Sequence, residues 1–143
     1  MLSGFDILSD MQAKIVHTEF DDSDARQQSL EALFTAIDAK DAAGFAEFLT
    51  ENASFRFGSA PAVTGRADII EAVSAFFASL ARVSHKITAV ATRGDRLFCE
   101  GETTYTRHDG KAVVVPFADV FEYAGDKIAD YRIYADLAPL YAD

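Results

Sequence analysis

The sequence predicts an α+β domain, and three observations carry that reading. Apolar residues recur at helical spacing through the first half of the chain, at i, i+3, i+4 and i+7. From about residue 84 the period changes to two, the signature of strands. Short turn-forming strings separate the strand-like runs, as in an antiparallel meander. Helices followed by an antiparallel sheet is the α+β pattern.

Taken in order, residues 1–23 read as an N-terminal extension, and 24–143 as one domain. The first firm helix opens at Asp24, which with Gln27 resembles a capping box. Leu30, Leu33, Phe34 and Ile37 mark its buried face. A second, short helix follows Asp41 and buries Phe45, Phe48 and Leu49. A strand over Ala53–Phe57 ends in a loop with Gly58, Pro61 and Gly65. The third helix spans about Ala67–Arg82, with Ile69, Ile70, Val73, Phe76, Phe77 and Leu80 on one wide stripe. Four strands are then expected at roughly 84–93, 96–107, 111–123 and 127–136. Their joints are Gly94-Asp95, His108-Asp109-Gly110 and Ala124-Gly125-Asp126. The tripeptide Arg93-Gly94-Asp95 is thus a hairpin turn rather than an adhesion motif.

The strand at 111–123 is apolar on both faces. One shows Val113, Val115, Phe117, Asp119 and Phe121, the other Val114, Pro116, Ala118 and Val120. An antiparallel sheet with one wet face alternates apolar and polar residues, so this one predicts cover on both sides. Helices supply one cover, and a second copy of the chain in a two-fold homodimer is the economical second.

Composition excludes several classes. The 143 residues carry a formal charge of −10, which repels nucleic acid and anionic membranes. Cys99 is the single cysteine, so no intrachain disulfide forms, and its apolar neighbours predict a buried, inert thiol. His17, His85 and His108 have no metal-ligand spacing and read as surface or structural residues. No phosphate loop or cofactor fingerprint is present. Residues 1–20 lack the basic head and apolar run of a secretory signal, so a cytoplasmic location is expected.

Three helices, a short strand and a meander ending in Gly125-Asp126-Lys127-Ile128, Arg132, Tyr134 and Asp136 resemble the nuclear-transport-factor-2-like superfamily. Within it the chain is most similar to the SnoaL-like, polyketide-cyclase-like branch. Ketosteroid isomerase and limonene epoxide hydrolase are its enzymatic relatives. The resemblance implies a cone in which three N-terminal helices pack on a strongly curved antiparallel sheet and enclose a pocket. It implies a mostly apolar, oxygenated small-molecule ligand, with no metal or organic cofactor. The relatives' chemistry would be an isomerisation, cyclisation or hydration, and a non-catalytic binding or adaptor role is the alternative.

Residue by residue the match is partial. The limonene epoxide hydrolase pattern maps one catalytic aspartate onto Asp136, but its other key positions fall on Glu102, Thr104, Phe55 and Phe57. The ketosteroid isomerase pattern maps its oxyanion-holding aspartate onto Asp119, its general base onto Phe57 and its tyrosine onto Leu33. Neither catalytic set is reproduced. Asp119 and Asp136 are the candidate acid–base pair. Asp119 stands between Phe117 and Phe121, where burial would keep a carboxyl neutral and able to donate. A bond to a backbone amide or to Arg132 is its structural alternative. Asp136 would be an ionised base oriented by Arg132 and Tyr134. Glu102 and Thr104 carry two opposed readings: polarity puts them outside, and the family register puts them in the pocket.

Overall fold

The computed structural model describes residues 24–143 and a two-residue strand at Lys14–Ile15. The rest of the expected N-terminal extension, with His17, lies outside the described residues, as does the Asp24 side chain. In chain order the elements are β1 (Lys14–Ile15), α1 (Asp24–Asp38), α2 (Ala42–Ala46), β2 (Leu49–Phe57), β3 (Val63–Thr64) and α3 (Arg66–Ala78). The long strands β4 (Leu80–Arg93), β5 (Arg96–Arg107), β6 (Ala112–Ala124) and β7 (Lys127–Ala135) follow, then the short α4 (Ala138–Tyr141).

The four long strands pair antiparallel in sequence order, as their turns foretell. Gly94 reaches a φ of 58° in the β4–β5 turn and so lets Arg93-Gly94-Asp95 close a hairpin. β2 adds to the far side of β7 in parallel, which gives the sheet order β1-β4-β5-β6-β7-β2-β3. The sheet is curved and unclosed. Its inner face and the three helices enclose one core, in which Leu30, Phe34, Phe45, Leu49, Ile69, Ile87, Phe121 and Tyr131 are fully buried. A smaller cluster gathers Leu80, Val83, Tyr105 and Val115 under Leu140 of α4.

Two helix ends differ from expectation. α2 stops at Ala46, so Leu49 opens β2 instead. α3 stops at Ala78, and Leu80 belongs to β4. In both cases an apolar residue at helical spacing is buried just as well by the strand that follows, so spacing alone could not mark the boundary. The start of α2 is set by chemistry: the Asp41 side chain caps the Gly44 N–H at 2.9 Å.

Curvature enters at a β-bulge. The β4–β5 register shifts between Ile87 and Ala89, and Gly101 faces Ile87 at that point. A Cβ on Gly101 would lie 2.0 Å from the Lys86 carbonyl oxygen and 3.0 Å from the Ile87 Cα. Backbone meets backbone here, so no side chain can yield to make room. Gly101→Ala should therefore cost about 1–3 kcal/mol in urea unfolding. An unchanged midpoint would show that the bend does not need this close approach.

Candidate functional site

A cavity of about 230 Å³ lies between the inner sheet face and the helices. Phe55 and Phe57 of β2, Phe76 and Phe77 of α3 and Phe117 of β6 make its wall largely aromatic. Ala60 and Pro61 of the β2–β3 loop and Ala72 of α3 also line it and are exposed, so the mouth lies between that loop and α3. Five polar side chains complete the lining: His85, Thr103, Tyr105, Asp119 and Tyr131. Mostly apolar walls with a few placed polar groups are the ordinary make-up of a small-molecule site.

Asp119 is the most unusual of them. It is 2 % exposed, and it has no cationic partner among the described residues. Its Oδ2 accepts from the Tyr131 hydroxyl at 3.4 Å and meets the Cys99 thiol at 3.9 Å. Its Oδ1 is buried and has no hydrogen-bond partner among the described residues. Loss of water therefore pushes the Asp119 carboxyl well above the usual carboxylate range, and the two weak donors only partly oppose that rise. Burial likewise raises the phenols of Tyr131 and Tyr105 and the thiol of Cys99. The cavity floor is thus a set of neutral groups. Among the described residues neither structural alternative for Asp119 is found: its carboxyl accepts from no backbone amide, and Arg132 pairs with Asp130.

From the sequence His85 reads as a surface or structural residue; the structure shows it held in the fold and, beyond that reading, lining the cavity. The Asp38 carboxylate, from the last turn of α1, holds it twice. Oδ1 meets His85 Nδ1 at 2.6 Å, and Oδ2 accepts from the His85 backbone N–H at 3.0 Å. The ring packs against Phe34 and Phe117, with centroids 4.8 and 5.4 Å away. A carboxylate at Nδ1 selects, for the neutral imidazole, the tautomer with its proton on Nδ1 and its lone pair on Nε2.

Sequence parity explains which other candidates reach the site. On β5, Thr103 and Tyr105 point inward, and Glu102 is exposed on the outer face with Thr104 beside it. Polarity was the right guide there and the family register was not. On β7, a register shift pairs Glu122 with Asp130 but Tyr123 with Ile128, leaving Ala129 as the extra residue. Ile128 and Tyr131 consequently both face inward, three apart, and every later residue changes side. Arg132 and the 53 %-exposed Tyr134 therefore lie on the outer face. Asp136 is exposed beyond β7, where its Oδ1 accepts the Ala138 N–H at 3.0 Å. It is a turn cap outside the cavity, contrary to expectation. Leu33 and Phe121 are buried in the core behind the lining, and Phe121 stacks on Tyr131 at 4.5 Å. Among the described residues, no three His, Cys, Asp or Glu side chains group as metal ligands would.

The state of Asp119 has a measurable consequence. The unfolded chain ionises this side chain near pH 3.9, by about the reference value. The folded chain does so only at much higher pH. Between those points folding takes up a proton, so stability falls as pH rises, by at most about 1.4 kcal/mol per pH unit. Asn binds no such proton. The stability of Asp119→Asn relative to the wild type should therefore improve steadily from about pH 5 to pH 7 in urea titrations. A difference independent of pH would mean that Asp119 ionises as readily folded as unfolded.

Comparison with known proteins places this geometry. No curated protein matches the chain. A SnoaL-like polyketide cyclase, so described, from Jannaschia sp. CCS1 superposes with a TM-score of 0.70 at 21 % identity, over 84 % of this chain and 93 % of that one. A hypothetical protein with a ketosteroid isomerase-like fold from Catenulispora acidiphila DSM 44928, in complex with trimethylamine, gives 0.72 at 17 %, over 82 % and 89 %. TerC, co-crystallised with polyporic acid, gives 0.72 at 15 %, over 81 % and 95 %. At these identities the likeness is one of fold. The model of the SnoaL-like domain matches residues 30–131, from the first buried leucine of α1 to the tyrosine beneath Asp119. The chain belongs to the SnoaL-like domain family.

Proposed function

We propose that this domain binds a small, mostly apolar, oxygenated molecule and moves a proton on it without a cofactor, in an isomerisation, cyclisation or hydration. The observation that carries the reading is the pair of unlike groups on one cavity wall. His85, oriented by Asp38, presents a basic nitrogen. Asp119, kept neutral by burial, presents an acid. Groups of opposite proton demand around one apolar space suit proton transfer next to a carbonyl. A ligand C–H proton passes to His85 Nε2, and the enolate that forms is stabilised by the hydrogen bond its oxygen accepts from Asp119. Return of the proton to another carbon gives the isomer. Asp38 is a positioning residue that fixes the ring and its tautomer. A cavity near 230 Å³ falls just under the usual range of roughly 300–1,000 Å³, which favours a ligand of one or two rings. TerC, co-crystallised with polyporic acid, supports this ligand class by likeness of fold.

The second reading is a non-catalytic binding or adaptor domain. It draws on Phe55 and Phe57, which line the cavity where the resemblance to enzymatic relatives implies polar groups. β-Tetralone in D₂O separates the two. The wild type should exchange its α-protons by NMR, and His85→Asn should slow exchange about 10²-fold or more. Binding without exchange by the wild type would favour the non-catalytic reading.

The outer sheet face supports a homodimer, as the two-sided β6 suggests. Val114 is 55 % and Phe98 37 % exposed there, beside Pro116, Ala118 and Val120. Sedimentation should show a dimer that Val114→Glu dissociates, and a monomeric wild type would refute it. A lone buried thiol suits a reducing compartment, and the cytoplasm is our proposed location. No helix of the described residues is long and apolar enough to cross a membrane.

A further inference from the structure

We propose that Thr103 and Tyr105 of β5 form a hydroxyl-reading subsite of the cavity, so that its ligand carries an alcohol or phenol group on the part of its skeleton away from Asp119. This deepens, and rests on, the reading of the cavity as a small-molecule site.

Both side chains line the cavity from the inner side of β5. Residues two apart on a strand point the same way, so the two hydroxyls are neighbours. The Thr103 hydroxyl is near enough to bond to the phenol oxygen, which partly offsets the rise that burial gives the phenol. No hydrogen bond joins either hydroxyl to any other group among the described residues. A hydroxyl has one hydrogen to give and two lone pairs. When two hydroxyls bond to each other, one hydrogen is spent and one is left over, whichever of them donates. Lone pairs stay free on the oxygen that donated. The pair thus offers an occupant of the cavity one donor and one acceptor, side by side. An alcohol or phenol oxygen both gives and takes, so it engages both. A ketone or ether oxygen only takes.

The sheet register sets this pair apart from Asp119. On β6 the cross-strand partners of Thr103 and Tyr105 are Val115 and Val113, and on β4 they are His85 and Val83. His85 is therefore the one polar neighbour across the strands. Asp119 pairs instead with Cys99, four residues from Thr103, and Gly101 between them has no side chain. The His85 ring packs on Phe117, the β6 residue opposite Gly101, and so stands between the hydroxyl pair and Asp119. The Tyr105 ring is fixed as well. It belongs to the cluster with Leu80, Val83 and Val115, and Phe76 meets it edge-on at 5.9 Å. A donor and an acceptor already held in place lose little freedom when a ligand binds, so their hydrogen bonds count nearly in full.

The test compares β-tetralone with 6-hydroxy-β-tetralone, which adds a hydroxyl at the end of the skeleton remote from the ketone, with binding measured by calorimetry. Wild-type protein should bind the hydroxylated molecule about tenfold more tightly. In Tyr105→Phe and in Thr103→Val that preference should fall to about twofold or less, with affinity for β-tetralone itself kept within about twofold of wild type. Binding of β-tetralone also reports that each variant is folded. A merely structural role for the two hydroxyls would weaken both molecules alike. Equal binding of the two molecules by the wild type, or a preference kept in both variants, would overturn the proposal and leave the cavity as a ligand site. Failure of both molecules to bind the wild type would overturn it together with the reading on which it rests.

Discussion

A carboxyl group shut away from water and from every cation cannot keep its charge, and the interior of this domain is arranged around that constraint. Asp119 lies on the inner face of β6 between two phenylalanines, with a phenol and a thiol as its partners among the described residues. Each neighbour is uncharged. A cation at this depth would have stabilised the carboxylate and changed the chemistry available to the cavity. Neutrality instead leaves an acid that can donate, facing an otherwise oily space.

The opposite demand is met on the other side of Phe117. Asp38 closes α1 and reaches β4, where one carboxylate engages both the backbone and the ring of His85. The same contact ties helix to sheet and sets which nitrogen of the imidazole is basic. Structural and chemical roles therefore coincide in one residue pair. The curved sheet makes this convergence possible, since the bulge opposite Gly101 bends β4 and β5 over the helices.

Much of this was legible in the sequence where information is local. Period and turn glycines mark the helices and the meander, but β6 is apolar on both faces, so its own pattern leaves the side of Asp119 undecided. The misplacement of Arg132, Tyr134 and Asp136 has one cause, the extra residue at Ala129, which inverts parity along β7. No residue type announces such a bulge in a strand of ordinary composition. Asp38 and His85 were missed for a different reason: they are 47 residues apart and join through tertiary packing alone. The parallel pairing of β2 with β7 is non-local in the same way. A helix-ending Asp followed by a strand-opening His on an inward position is the signal that could have found the pair once the topology was known.

The protonation of Asp119 decides the account most directly, and difference infrared spectroscopy reads it without a ligand. Spectra of wild type and Asp119→Asn at neutral pH should differ by the carbonyl stretch of a protonated carboxylic acid, present only in the wild type. A difference showing the paired bands of a carboxylate would mean that the floor of the cavity is charged, and the proton-transfer scheme built on it would not stand.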